Sequence, residues 1–442
     1  MAPYNPVEDI LNRVRDQGAE GDLIIDAGQA LSLKAKDGAL EEHKATSSQV
    51  FGLRVIKDER VGTAYSEAAD PASLGAMVNQ ALENAAFAGI EPFEKILPND
   101  FTLETDDQLL APADTASIEE KVALALRIEA DLSERPDVKS VPYNGVQDVR
   151  SERFVYSTSG LEARSGVRNV SCYAYALMEA NGKNAMEGVG QVARQFAQLT
   201  PESLIEQAYS NTRSMLDGAP VPSGKYDAIF DEEVLPRLFS VFAMMFSGKS
   251  AKEGVNPMRD KLGEVIAHPQ LTLYDHPLNV DGFGYALFDG EGTPTARLPL
   301  IDQGVLSSMI HNSMTAGYFG LTSTGHATRG PKSTLGVGLH QLEIAAGNVA
   351  QRTLVEGDYL LITDLTGLHS GANSISGEFS FGASGYLCKD GERVQAVRGV
   401  TVAGNFYELI QRIEGIGSTR YRNWEKSALM PRIRFSNLAV SG

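Results

Sequence analysis

The chain has 442 residues, and 39 Lys and Arg against 57 Asp and Glu give a formal net charge of −18. A field of that sign repels phosphate backbones and no basic stripe interrupts it, which argues against nucleic-acid binding. Two cysteines, Cys172 and Cys388, are too few for a disulfide framework or a thiolate metal site.

The length suggests two or three packed units. The opening residues, MAPYNPVEDI, lack a basic and an apolar leader region, and no apolar run approaches the roughly 20 residues of a membrane span. The expectation is a cytoplasmic protein that does not engage membranes.

In chain order, Asn5 and Pro6 read as the cap and first position of a helix, with Val7, Ile10, Leu11 and Val14 on one face and Gly18 as its stop. Strands are expected around residues 31–35, 50–56 and 61–65, then a helix over 71–87. A polar, proline-containing stretch over 98–116 reads as a linker. Ser117 and Glu120 form a capping box that starts a helix running to about Leu132. Strands follow at 153–158 and 170–178, a tight turn at Asn181-Gly182, and a helix over 201–216. After a break at 220–224, one helix is expected over 233–246. The remainder reads as strands, with turns at Asp289-Gly290 and Asp390-Gly391. The fold class is α+β: an N-terminal unit (1–110), a middle unit (111–222), both of mixed helix and strand, and a strand-rich C-terminal domain (223–442).

Residues 366–385, TGLHSGANSISGEFSFGASG, stand out. Glycine at this density lets a backbone turn sharply and approach another chain closely. A flexible linker would not carry Leu368, Ile375, Phe379 and Phe381. The segment reads as an ordered groove lining, with His369, Ser370, Gly371, Asn373, Ser374, Ser376, Gly377, Glu378 and Phe379 as candidate peptide contacts. Glu378 reads equally as an acid in an apolar setting or as an exposed strand charge.

Other motifs carry less. Residues 243–250, AMMFSGKS, fit a relaxed phosphate-loop pattern but follow a helical stretch rich in Met and Phe, where a phosphate loop follows a strand. A helix end with Lys249 and Lys252 exposed is the better reading. Residues 188–193, GVGQVA, sit on a hairpin arm and not at a strand-to-helix turn. No serine satisfies GxSxG, and serines in the glycine-rich segment are expected to bond their own backbone. The histidines are His43, His268, His276, His311, His326, His340 and His369, so HExxH is absent. A site assembled from scattered histidines stays open.

The run LITDLTGLHSGANSISGEFSFGASGYL with VRGVTVAGN resembles the C-terminal signature of the TldD/PmbA family, and its PmbA or TldE branch most closely. The likeness extends through SGKSAKEG, FDGEGTPTARLPLIDQGVL and STGHATR, covering nearly the whole chain. It implies a cytoplasmic heterodimer in which a TldD-like partner subunit carries zinc on two helix histidines and a cysteine and cleaves unfolded peptides. The corresponding helix here, residues 235–246, has no histidine, and no cysteine follows Cys388. The resemblance therefore implies a subunit without metal or other cofactor of its own, supplying a peptide-binding chamber wall, and it leaves any catalytic residue of this chain unknown. A stand-alone homodimeric peptide-binding or scaffold protein is the alternative. The family's association with DNA gyrase modulation is poorly explained by direct DNA contact at this charge.

Overall fold

In the computed structural model, which describes residues 5–442, capping chemistry places the helices. The Asn5 side chain accepts hydrogen bonds from the Val7 and Glu8 N–H groups, and Pro6–Asp16 buries Ile10, Leu11 and Val14. Asp70 caps Pro71–Phe87 in the same way, and the Ser117–Glu120 box opens Ile118–Ser133. Residues 1–4, which begin the segment read above as leaderless, lie outside the described residues.

The strands are longer than their apolar runs. Glu20–Lys36, Ala39–Lys57, Val138–Ser157 and Glu162–Ala180 are antiparallel neighbours in one seven-stranded sheet. Leu23 pairs with Leu53 on one side and with Tyr156 on the other. Strands on either side of residue 110 therefore share a sheet, and the helices around it pack two cores. One joins Ile10, Leu53 and Val78; the other joins Leu124, Cys172 and Leu204.

The C-terminal half is strand-rich, as expected, and closes on itself. Gly224–Phe230 pairs with Asp358–Thr366 in parallel and with Ala428–Ser441 antiparallel. Glu378–Lys389 and Glu392–Asn405 complete the ring, which therefore has no edge among its five strands. Strands make up 43% of residues and helices 22%, which places the chain in the α+β class.

The single helix expected over 233–246 is broken. Leu235–Val241 is α-helical, Phe242 leaves helical geometry, Ala243–Phe246 is a 3₁₀ turn, and Gly248–Lys252 is a short separate helix. Phe239, Phe242, Met245 and Phe246 are all buried, so packing on several sides overrides a single helical stripe. Lys249 and Lys252 are half-buried rather than exposed, and the Lys252 ammonium lies 2.6 Å from a Glu91 carboxylate oxygen. The Gly248 N–H donates to the Ile310 carbonyl, so it does not face a phosphate. Among the described residues, no helix is long and apolar enough to cross a membrane.

Candidate functional site

The glycine-serine segment is ordered by its own backbone. The Ser380 N–H donates to Gly371 O at 2.7 Å and the Asn373 N–H donates to Glu378 O at 2.8 Å. The Asn373 side chain accepts from the Ile375 and Ser376 N–H groups. Gly377 adopts φ +84°, and a Cβ there would lie 2.4 Å from the Tyr407 ring. Only glycine fits that corner.

The nine candidate peptide contacts separate by exposure. His369, Ser370, Asn373, Ser376 and Glu378 are exposed; Gly371 and Ser374 are half-buried; Gly377 and Phe379 are buried. Glu378 is thus a surface strand charge. Phe379 packs in the core between Phe242 and Phe381, supporting the loop from beneath. The Ser370 hydroxyl donates to Gly367 O, and Ser376 Oγ accepts from the Glu378 N–H, as expected of loop serines. Both edges of residues 378–381 are occupied, by residues 402–405 on one side and by the loop itself on the other.

None of the nine lines either of two nearby cavities, but Ser374 Oγ lies 3.7 Å from Met244 Sδ, and Met244 lines the first. That cavity, about 380 Å³, sits over the histidine-free helix, with Pro236, Ser240 and Ala243 on one wall and His340 on another. The second, about 540 Å³, is bounded by Arg153, Asp289, Arg329, Ser333 and again His340. The Asp289 carboxyl is pushed up to about 7 by burial and by the neighbouring Glu291 charge.

The helix wall does not fit a zinc site. Leu235, Pro236, Leu238 and Phe239 are buried and apolar, and Arg237 is paired with Asp364. Donor chemistry gathers behind His340, which lines both cavities. His326 Nε2 is 2.9 Å and His340 Nδ1 is 2.8 Å from Asp275 Oδ2, while Asp275 Oδ1 accepts the His340 and Gln341 N–H groups. Among the described residues, these three ligating atoms all lie within 4.8 Å of one another. Burial raises the Asp275 pKa, but its bonds to the two imidazoles outweigh this and bring it down to about 2. Sequence reading missed the group because its members are 51 and 65 residues apart, and no local spacing announces them.

A second buried cluster joins the C-terminal domain to the first sheet. The Arg54 guanidinium, fully buried, donates to Asp22 at 3.1 Å, Glu94 at 2.9 Å and Glu291 at 3.0 Å, and Arg329 also reaches Asp22.

The molecule is thus an α+β protein whose C-terminal domain holds a closed five-stranded ring and a cavity lined by Pro236, Ser240, Ala243, Met244 and His340. Residues 21–85, 111–216 and 223–442 match the models for domain 1, the central domain and the C-terminal domain of PmbA/TldA metallopeptidases. The chain belongs to the PmbA/TldD metallopeptidase family. It is 26% identical over 434 residues to metalloprotease PmbA of Escherichia coli O157:H7, covering 96% of this chain and 93% of that one. It is 26% identical to a metalloprotease of Methanothermobacter thermautotrophicus, covering 92% and 90%. The crystal structure of TldE from Thermococcus kodakarensis superposes with a TM-score of 0.87 at 21% identity, covering 99% of this chain and all of that one.

Proposed function

We propose that this chain is the PmbA/TldE-type subunit of a two-subunit cytoplasmic metallopeptidase acting on unfolded peptides. A TldD-like partner carries the hydrolytic zinc, and this chain supplies a chamber wall and peptide contacts from the 366–385 segment. One observation carries the reading: the cavity's helix wall presents Pro236, Ser240, Ala243 and Met244, none of which ligates zinc strongly or activates water.

Exposed His369, Asn373, Ser376 and Glu378, held on a rigid loop, suit contact with an extended backbone. Because residues 378–381 have no free edge, those contacts are made by side chains and loop backbone and not by strand addition. The test is cleavage of an unfolded peptide by this chain alone, by a TldD-like subunit alone and by both. Activity is expected only when the metal-bearing subunit is present, and enhanced by this chain. Zinc-dependent cleavage by this chain alone would overturn the reading. Self-association without any effect on the partner would favour a homodimeric scaffold.

A further inference from the structure

The Asp275–His326–His340 group lies outside the wall on which the family's hydrolytic site would be sought, and its geometry poses a local problem. His326 Nδ1 is 2.8 Å from the Thr324 carbonyl oxygen, which can only accept. The Thr324 hydroxyl is 2.9 Å from the same nitrogen, but its own proton is directed to the His311 carbonyl at 3.1 Å. Nδ1 therefore carries a hydrogen. Nε2 then faces Asp275 Oδ2 at 2.9 Å, a position filled either by a second ring proton or by a bound cation. Both groups are fully buried, so whichever cation fills that position is shielded from water, and two imidazoles and a carboxylate converge on it.

We propose that these three side chains form a binding site for one divalent transition-metal ion of the zinc class. The donor set, two imidazole nitrogens and a carboxylate oxygen, suits such an ion. The supporting contacts are those of oriented ligands: His326 is fixed through its Nδ1–H on a backbone carbonyl, and Asp275 through two backbone N–H groups on its other oxygen. Nitrogen–oxygen separations of 2.8 and 2.9 Å need to widen by roughly 0.5 Å to admit an ion at ordinary bond lengths. The ligands lie on three separate segments: the strand Leu273–Asp275, the residue before Ala327–Thr328, and the loop before Leu342–Ile344.

The ion is a cross-link with one accessible side. Of the three side chains, His340 borders both cavities while Asp275 and His326 line neither and are fully buried, so the ion is approached past the His340 ring. The adjacent carboxylate, Glu343, is held by His276, Arg297 and Arg420 and is not free to activate a water. The site thus amends the expectation of a metal-free chain while leaving the hydrolytic metal with the partner.

The test uses the full chain alone, stripped with chelator, loaded with Co²⁺ or Zn²⁺ and desalted. One ion per chain by elemental analysis is expected, with visible Co²⁺ ligand-field absorption and a metal-dependent rise in Tm. His340→Ala, at a partly accessible position, is expected to lose the metal-dependent rise in Tm, whatever its own apo Tm, and to bind at least tenfold more weakly; His326→Gln supplies a second variant with the same expected loss. A wild-type chain that retains no ion at micromolar metal overturns the proposal. So does a His340→Ala chain with unchanged stoichiometry and spectrum. Neither result touches peptide cleavage, so this site and the proposed function fail separately.

Discussion

Gly52 lies directly beneath Pro331: a Cβ on Gly52 would fall 2.2 Å from Pro331 Cα and 2.3 Å from Pro331 O. The contact is backbone on backbone, between the first sheet and the C-terminal domain. Gly52→Ala is therefore expected to cost about 1–3 kcal/mol, the range for overfilling a packed site. Denaturant unfolding would show the loss, and limited proteolysis would show the two parts loosening. An unchanged midpoint would mean that the two parts shift apart without strain.

Arg54 neutralises three carboxylates at that same junction. Arg54→Met removes the cation and leaves Asp22, Glu94 and Glu291 crowded, with Arg329 as the neighbouring cation. A loss of about 3–5 kcal/mol is expected, as for breaking one side of a buried ion pair. Double variants that also neutralise Glu291 should recover part of it, measured by a thermodynamic cycle.

His311 gives a pH dependence. Burial pushes its pKa down to about 4, with the nearby His326 adding to the effect. The unfolded imidazole, near 6.5, takes up a proton first as pH falls. Stability should therefore decline from about pH 6.5 to pH 4, by at most about 3 kcal/mol. His311→Asn should flatten that part of the stability–pH curve, and an unaltered slope would assign it elsewhere.

Asn373 holds the exposed loop by accepting two N–H groups. Asn373→Ala should cost about 1 kcal/mol locally, the net value of such bonds, with little change in Tm. On the proposed function, assayed with a TldD-like subunit, it should raise KM for unfolded peptides more than it lowers kcat. A loss confined to kcat would place the loop's role in chemistry and not in binding.

Local chemistry made part of this structure legible. The Asn5 and Ser117 caps announced their helices because each satisfies N–H groups within three residues. The long strands were only half visible: residues 41–49 are all exposed and, Ala45 apart, polar, so no apolar alternation marks them, and pairing with Glu20–Lys36 alone makes them a strand. The 366–385 segment was legible as an ordered turn-rich stretch, but the burial of Phe379 depends on Phe242, which follows the distant helix Leu235–Val241. Asp275, His326 and His340 were illegible as a group, since only the sheet brings Asp275 opposite Leu342 and so beside His340.

The five-stranded ring sets an order of events during synthesis. Gly224 pairs with Val440, so the ring's first strand emerges from the ribosome long before its closing neighbour exists. Until then Ala228 and Phe230 have no complete enclosure, and that apolar stretch is a natural chaperone client. Losing the last dozen residues would therefore reopen the whole ring, a far larger injury than trimming a tail.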